Sequence, residues 1–200
     1  MRRIRYAVAA SLDGYIAGPN GEADWIIMDP DIDFRELFNQ FDTAIMGRNT
    51  FESMTRQHGS ASMLGMKTLV CSRTLRQRDH PEVTVVSENL ETILAALRKV
   101  RGKDIWLFGG GSLFRTFLEL RLVDMVEVAV IPVLLGGGIP LLQPPARQTK
   151  LKLTGHRVFN TGIVSLEYTI EYVLPNEDLR QVKRSRRSSS SGASDTRLSR

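Results

Sequence analysis

The sequence predicts a three-layer αβα domain with a mostly parallel, twisted sheet and an antiparallel carboxyl-terminal hairpin. Two observations lead to this α/β fold class. Short β-prone segments alternate with amphipathic helical segments along most of the chain, which is typical of a parallel sheet with helices on both faces. The last two β-prone segments, 153–159 and 163–173, are separated by Asn160-Thr161-Gly162. This turn sequence predicts a hairpin.

The individual elements are placed by their different apolar periodicities. Strands of the sheet are predicted at 3–10, 43–46, 67–72, 83–86, 104–108 and 123–131. Helices are predicted at 33–40, from Asn49 onward, from a cap at Ser87 and after the glycines at 109–111. A loop at 18–33 is long for a compact domain, and long loops of this kind are often functional.

The positive charge of the chain is concentrated at its carboxyl end. The net charge is +5, and residues 176–200 hold seven basic and three acidic side chains. This end also lacks aromatic residues, so it cannot bury enough apolar surface to fold. We therefore expect one folded domain at 1–174 and a disordered basic, Ser-rich tail at 175–200. A tail that binds nucleic acid or an acidic partner is the less favoured alternative.

Several functional classes are excluded by composition. A single cysteine excludes an intramolecular disulfide and a cysteine-based zinc site. Three histidines without ligand spacing predict no metal site. The longest apolar runs have the length of a strand, so no membrane segment is expected. A cytoplasmic protein that binds neither membrane nor nucleic acid is the expectation.

Two places in the chain share one architecture, a buried strand that ends in glycine and leads directly into a helix. They are AIMGRNT at 44–50 and WLFGGGS at 106–112. A helix start offers unpaired N–H groups and the positive end of a dipole, and glycine lets an anion approach the backbone. Two such corners on neighbouring strands suit the two phosphates of a dinucleotide. The alternative is that both are tight turns that serve packing only.

Basic and hydroxyl side chains stand next to the first corner. Arg48 follows Gly47, and Ser72 and Arg73 end the next predicted strand. A guanidinium and a hydroxyl at adjacent strand ends suit a further phosphate, such as the 2′-phosphate of NADPH. The alternative for each arginine is an ordinary solvated surface charge.

The order of these motifs resembles a known fold family. AIMGRNTFESM at 44–54, KTLVCSR at 67–73 and IWLFGGGSLF at 105–114 resemble segments of the dihydrofolate reductase fold family. ASLDGYIAG at 10–18 and PVLLGGGIPLL at 132–142 are more similar to one branch of it. That branch is the C-terminal domain of the bacterial bifunctional deaminase-reductase of riboflavin biosynthesis. The resemblance covers about residues 3–173 and implies a dihydrofolate reductase-like reductase domain.

The resemblance also implies an NADPH site. Three residues are implied to line the nicotinamide pocket: Ala9, Ala10 and Ile16. Phosphate is implied to bind at Gly47, Arg48, Asn49 and Thr50, with Arg48 near the adenosine 2′-phosphate. Ser72 and Arg73 are implied to flank the adenine ribose. The pyrophosphate is implied to lie on Gly109, Gly110, Gly111, Ser112 and Leu113. A cis Gly109–Gly110 peptide is a further expectation from the family.

Departures from the family pattern bear on the substrate. Met66 stands where dihydrofolate reductases hold the folate carboxylate with arginine, Ala129 replaces a pterin-contacting threonine, and Phe114 replaces a tyrosine beside nicotinamide. These losses argue against folate. We expect an NADPH-dependent oxidoreductase like 5-amino-6-(5-phosphoribosylamino)uracil reductase, acting on a small nitrogen heterocycle or a ribosylaminopyrimidine-like compound. The alternatives are a divergent dihydrofolate reductase and a non-catalytic module that binds NADPH or a partner. The sequence does not decide between a monomer and a homodimer.

A carboxylate beside nicotinamide could deliver the proton that accompanies hydride transfer, with its pKa raised by a dry cleft. Asp31 falls near the family's proton-donating position, with Asp29 and Asp33 as competitors, and Asp13 is the second candidate. Asp13 has the favoured alternative of ordinary turn chemistry. Asp31 has the alternative of a helix cap, together with Asp33.

Overall fold

A computed structural model describes residues 1–59 and 65–172. The main-sheet strands are β1 (Ile4–Ser11), β3 (Phe41–Gly47), β4 (Lys67–Cys71), β5 (Thr84–Val86), β6 (Asp104–Gly109), β7 (Met125–Ile131), β9 (Lys150–Val158) and β10 (Val164–Glu171). Two short strands, β2 (Tyr15–Ala17) and β8 (Ile139–Pro140), form a separate pair. The helices are α1 (Phe34–Asn39), α2 (Arg48–His58), α3 (Leu90–Lys99) and α4 (Gly111–Glu119). The expected tail at 175–200 lies outside the described residues.

The sheet confirms the predicted α/β fold class. Its strand order is β5-β4-β3-β6-β1-β7-β10-β9. The pairs from β5 through β7 are parallel, and β10 runs antiparallel to β7. This order places β3 and β6, the two strands that end in glycine, side by side near the centre of the sheet.

Alternate residues of the central strands enter two separate apolar cores. On β3, Ile45 belongs to one core, whereas its neighbours Ala44 and Met46 belong to the other. Successive side chains of a strand point to opposite faces, so the two cores lie on opposite faces of the sheet. Leu94 of α3 and Phe117 of α4 pack into the first core. Phe51 of α2 and the partly buried Phe38 of α1 pack into the second, which completes the three layers.

The structure shifts the start of one predicted helix and identifies the capping residue of another. The helix predicted from a cap at Ser87 begins at Leu90, with Asn89 at the cap position and φ +54°. Asparagine is one of the few residues that tolerate this left-handed conformation. At α1, the Asp33 carboxylate accepts a 2.9 Å hydrogen bond from the Glu36 N–H. Asp33 is therefore the cap, and Asp31 is not.

The carboxyl-terminal hairpin is confirmed, with its first strand starting at Lys150 rather than 153. The Phe159 N–H donates to the Ile163 carbonyl at 2.9 Å, and the Gly162 N–H donates to the Phe159 carbonyl at 3.0 Å. Gly162 takes φ +87° in this turn, a conformation that glycine adopts without a side-chain clash. β9 is the edge of the sheet, and nearly all its side chains are exposed.

The pair β2–β8 has no counterpart in the sequence expectation. Strands of three and two residues are too short to produce a recognisable alternation of apolar and polar side chains. Within the described ranges, none of the helices combines the length and apolar character that crossing a bilayer would require.

Candidate cofactor and substrate site

The two glycine-ended corners meet in the folded chain. β3 and β6 are parallel neighbours, with Met46 paired to Gly109, so both strands end at the same edge of the sheet. α2 begins directly after β3, and α4 begins just after β6. A Cβ placed on Gly110 would lie 3.6 Å from the Thr50 Oγ1. The sequence prediction that the corners lie on neighbouring strands is confirmed.

Both helix starts at this edge lack a capping side chain. The N-cap residues are Gly47 for α2 and Gly110 for α4, and neither helix has an acidic residue in its first turn. The contrast is α1, where Asp33 caps the helix and Glu36 stands in the first turn. The first amides of a helix need an acceptor from outside the helix. The starts of α2 and α4 therefore present two positive dipole ends to one region.

The glycines at these corners have different roles. A Cβ on Gly47 would meet no atom within 4 Å, and a Cβ on Gly110 would meet only Thr50. These two positions border open space, which leaves room for an anion close to the backbone. A Cβ on Gly111 would lie 2.3 Å from the Pro140 carbonyl oxygen, so glycine at 111 serves packing. The Gly109–Gly110 peptide is cis, as the family resemblance implies.

Arg48 lies against the turn that follows β4. Its Nη1 donates to the Thr74 Oγ1 at 3.3 Å, and its Nε lies 3.7 Å from the Glu52 carboxylate. The Ser72 Oγ accepts from the Thr74 and Leu75 N–H groups at 3.2 and 3.0 Å. Ser72 is thus used in shaping the turn. Arg73 is exposed, and no hydrogen bond or ion pair to another described residue engages it.

A cavity of about 640 Å³ adjoins the two corners. Six of the predicted cofactor residues line it: Ala9, Ile16, Asn49, Thr50, Gly109 and Gly110. The predicted residues that do not line it are Ala10, Gly47, Arg48, Ser72, Arg73, Gly111, Ser112 and Leu113. Among these, Ala10 and Leu113 pack in the first core.

Several walls of the cavity were not predicted from the sequence. Trp106 and Phe108 of β6 line it with their rings edge to face at 4.9 Å. The Trp106 Nε1 donates to the Ala7 carbonyl at 2.9 Å, which orients the indole. Their spacing of two residues along a strand places both on one face of the sheet. The sequence alone therefore contained the information that these two rings lie together. The cavity-lining residues of α2 beyond its first turn are Glu52, Ser53, Met54, Arg56 and Gln57.

Asp13 is exposed and outside the cavity lining, and its carboxylate accepts three hydrogen bonds. Oδ1 accepts from the Ser11 Oγ at 2.6 Å and from the Leu135 N–H at 3.1 Å, and Oδ2 accepts from the Gly136 N–H at 2.7 Å. The Ser11 hydrogen bond is the main cause of a lowered pKa for Asp13, and the two backbone donors add to it. This direction is opposite to the raised pKa expected of a proton donor, and the contacts agree with the alternative of turn chemistry at Asp13.

The acidic cluster at 29–33 likewise lies away from the cavity lining. The Asp29 carboxylate is buried and accepts from the Thr161 N–H at 3.1 Å and from the Thr161 Oγ1 at 2.7 Å. The Thr161 hydroxyl is the main cause of a lowered pKa for Asp29. Asp31 is exposed and has a long 3.5 Å contact from the Asn160 amide. The structure therefore ties these residues to the hairpin turn.

The described part of the chain brings together no group of three or more His, Cys, Asp or Glu side chains that could bind a metal ion.

Comparison with known proteins places the fold and the chain in a defined family. The family model of the RibD C-terminal domain matches residues 2–165. The uncharacterized protein YyaP of Bacillus subtilis strain 168 is 38% identical over 178 residues, which cover 84% of this chain and 94% of YyaP. The uncharacterized protein YwjB of the same organism is 30% identical over 165 residues, which cover 81% of this chain and 95% of YwjB.

Solved structures agree with this placement. A Shewanella sp. PV-4 protein named for riboflavin biosynthesis has a TM-score of 0.72 and 28% identity, covering 86% of this chain and all of that one. The Thermotoga maritima deaminase and 5-amino-6-(5-phosphoribosylamino)uracil reductase has a TM-score of 0.65 and 17% identity over 85% of this chain and 57% of that chain. Enterococcus faecalis dihydrofolate reductase complexed with NADP(H) has a TM-score of 0.63 and 19% identity over 85% and 97%. The last two show the shared fold.

Proposed function

Because this chain belongs to the RibD C-terminal domain family, we propose that it is an NADPH-dependent reductase. Its substrate is a small nitrogen heterocycle or a ribosylaminopyrimidine-like compound, as in the uracil reductase reaction for which the Thermotoga maritima relative is named. The proposal includes the cytoplasmic location expected from the sequence and a domain that ends near residue 174.

One observation carries the proposal. Two uncapped helix starts, at Gly47 and Gly110, meet beside a single cavity of about 640 Å³. An anion at a helix start is stabilised by the free amides and the dipole, and two adjacent starts suit a diphosphate. The open space beside Gly47 and Gly110 supports the fit. The volume is within the range of small-molecule and cofactor sites.

In this proposal the two glycine-ended corners bind the phosphates of NADPH. The first turn of α2, at Asn49 and Thr50, binds phosphate together with the backbone at Gly109 and Gly110. Arg48 turns from Thr74 and Glu52, two exposed contacts that cost little to break, toward the 2′-phosphate. Bound NADPH supplies the hydride, and the protein supplies position and polarity.

The nicotinamide end lies toward the apolar part of the cavity, where Ala9 of β1 and Ile16 of β2 form the wall. Trp106 and Phe108 give the same space a rigid aromatic floor. Flat aromatic surfaces of this kind suit a planar ring and exclude water from it. Such a surface would hold a planar heterocycle beside the nicotinamide ring.

The substrate side of the cavity is the polar face of α2. Ser53, Arg56 and Gln57 line it, and Arg56 has no hydrogen bond or ion pair to another described residue. An unpaired guanidinium can donate to a substrate carbonyl or to an anionic group. The position at which dihydrofolate reductases bind the folate carboxylate with arginine is Met66, which is buried in the second core and supplies no cation there.

Proton delivery is assigned to water at the cavity mouth. Asp13 and Asp31 lie outside the lining, and both carboxylates contact other parts of the chain. Among the described residues that line the cavity, Glu52 is the one carboxylate. Its side chain is 43% exposed, so it lies within reach of solvent water.

NADPH titration followed by nicotinamide fluorescence and melting temperature tests the proposal. We expect saturable binding, a raised melting temperature, and loss of NADPH absorbance with at least one compound from a panel of aminopyrimidines and pterins. Oxidation with dihydrofolate alone would favour the divergent dihydrofolate reductase. Binding without oxidation would favour a non-catalytic module. Absence of binding of either nicotinamide cofactor would end both enzyme hypotheses.

A further inference from the structure

Asp13 joins two segments that are far apart in the chain. Its carboxylate accepts hydrogen bonds from Ser11, two residues earlier, and from the N–H groups of Leu135 and Gly136. The Ser11 Oγ in turn accepts from the Tyr15 N–H at 2.9 Å. All three are charge-assisted hydrogen bonds to a solvent-exposed carboxylate. The turn at 11–15 is thereby attached to the loop that leads from β7 to β8.

The joined segments form one wall of the cavity. Beyond Asp13 the chain enters β2, and beyond Gly136 it enters β8, and these two strands pair with each other. Ile16 and Ala17 of β2 and Ile139 of β8 line the cavity. An isolated pair of strands this short is not stable by itself. The wall therefore depends on the contacts that flank it.

Close backbone contacts make the wall sensitive to where the loop lies. A Cβ on Gly138 would be 2.2 Å from the Ala17 carbonyl oxygen. A Cβ on Gly111 of α4 would be 2.3 Å from the Pro140 carbonyl oxygen. The Leu141 N–H donates to the Gly14 carbonyl at 2.9 Å. A shift of the loop would thus move the nicotinamide wall and the start of α4 together.

We propose that Asp13 is a positioning residue, whose carboxylate fixes the 133–141 loop and through it the Ile16–Ile139 wall and the α4 corner. Its carboxylate already accepts hydrogen bonds from Ser11, Leu135 and Gly136, so the proposal gives it no contact with cofactor or substrate. This inference rests on the proposed function for its effect on NADPH, but the attachment of the loop can be measured without any ligand.

Hydrogen exchange of the full-length protein tests the attachment directly. The amides of Leu135 and Gly136 donate to Asp13, so we expect both to exchange slowly in the wild type. We expect Asp13→Ala to speed their exchange at least about tenfold, and Asp13→Asn, which keeps one acceptor oxygen, to give an intermediate rate. Glu88→Ala removes an exposed carboxylate elsewhere and should leave these two amides unchanged.

NADPH titration and steady-state kinetics then separate positioning from chemistry. We expect Asp13→Ala to raise the NADPH Kd and the substrate KM by about tenfold, with a smaller change in kcat. Ser11→Ala, which removes one donor to the carboxylate, should cause smaller changes in the same direction and serves if Asp13→Ala does not fold.

Two results would overturn the inference. One is unchanged exchange at Leu135 and Gly136 in Asp13→Ala. The other is a large fall in kcat with loop exchange and NADPH Kd intact, which would make Asp13 a catalytic residue. If the wild type binds no NADPH, the proposed function fails, and the exchange experiment still decides whether Asp13 holds the loop.

Discussion

Thr50 and Gly110 lie 60 residues apart in the chain, yet a Cβ on Gly110 would be only 3.6 Å from the Thr50 Oγ1. Thr50 lies in the first turn of α2 and Gly110 is the N-cap of α4, so two helix N-termini converge at this point. The convergence follows from the pairing of β3 with β6. It turns two separate glycine corners, each compatible with simple packing, into one candidate diphosphate site.

Gly47→Ala tests whether an anion occupies the space at the α2 corner. The new methyl group would meet no protein atom within 4 Å, and the backbone at φ −83° and ψ 165° suits alanine. We expect the melting temperature to stay within about 2 °C of wild type and the NADPH Kd to rise at least about tenfold. Glu88→Ala, at an exposed position before α3, is the control. Unaltered NADPH affinity in Gly47→Ala would show that no phosphate binds at this corner.

Arg48→Ala tests the choice between NADPH and NADH. If the guanidinium contacts the 2′-phosphate, its removal should weaken the binding free energy of NADPH by ~1.5–3 kcal/mol, roughly ten- to hundredfold in Kd. NADH, which lacks this phosphate, should bind almost as in the wild type. Glu52→Gln should instead strengthen NADPH binding, because it removes the carboxylate charge that lies 3.7 Å from Arg48. Isothermal titration with each cofactor measures both. Equal weakening of the two cofactors in Arg48→Ala would place this arginine away from the 2′-phosphate.

Asp29 should make folding stability depend on pH. Hydrogen bonds from Thr161 lower its pKa in the folded state, so folding favours the ionised form. Its contribution is fully present above the unfolded-state pKa of about 3.9 and is lost as pH falls through the lower folded pKa. We expect Asp29→Asn to lower the urea midpoint near neutral pH, and the difference from wild type to shrink below about pH 3. Asp24→Asn, at an exposed loop position, is the matched control, and a pH-independent difference would refute the linkage.

Removal of residues 176–200 tests the proposed domain boundary. The composition of this end, with its serines and excess of basic residues, predicts no role in the folded core. We expect unchanged melting temperature and unchanged NADPH affinity in the shortened chain. A lost oligomer, measured by light scattering, or a large fall in melting temperature would contradict the boundary near 174.

The strands and helices that carry long apolar patterns were predictable because periodicity is local. The β6 strand and the glycines after it are one example, since the apolar run IWLF, buried at Ile105–Leu107, leads directly into Gly109. Boundaries moved by a few residues, as at Asn89, where backbone conformation rather than a side-chain cap starts the helix. The β2–β8 pair was missed because its five residues carry no period.

The roles of the aspartates were not predictable in the same way. A carboxylate beside a turn can cap a helix, clamp a loop or donate a proton, and the difference lies in which donors reach it. For Asp13 two of those donors are the amides of Leu135 and Gly136, and for Asp29 they belong to Thr161. All are more than a hundred residues further along the chain. Local pattern contains no record of them.

The sequence by itself determined the layered α/β architecture, the two glycine-ended corners and the arginine beside one of them, because each depends on side-chain order within a few residues. Only the tertiary structure decided that the corners share one cavity, that Trp106 and Phe108 form its floor, and that Asp13 and Asp29 are held by distant donors. The physical reason is that strand pairing and hydrogen-bond partnership join segments whose separation in the chain bears no relation to their distance in space.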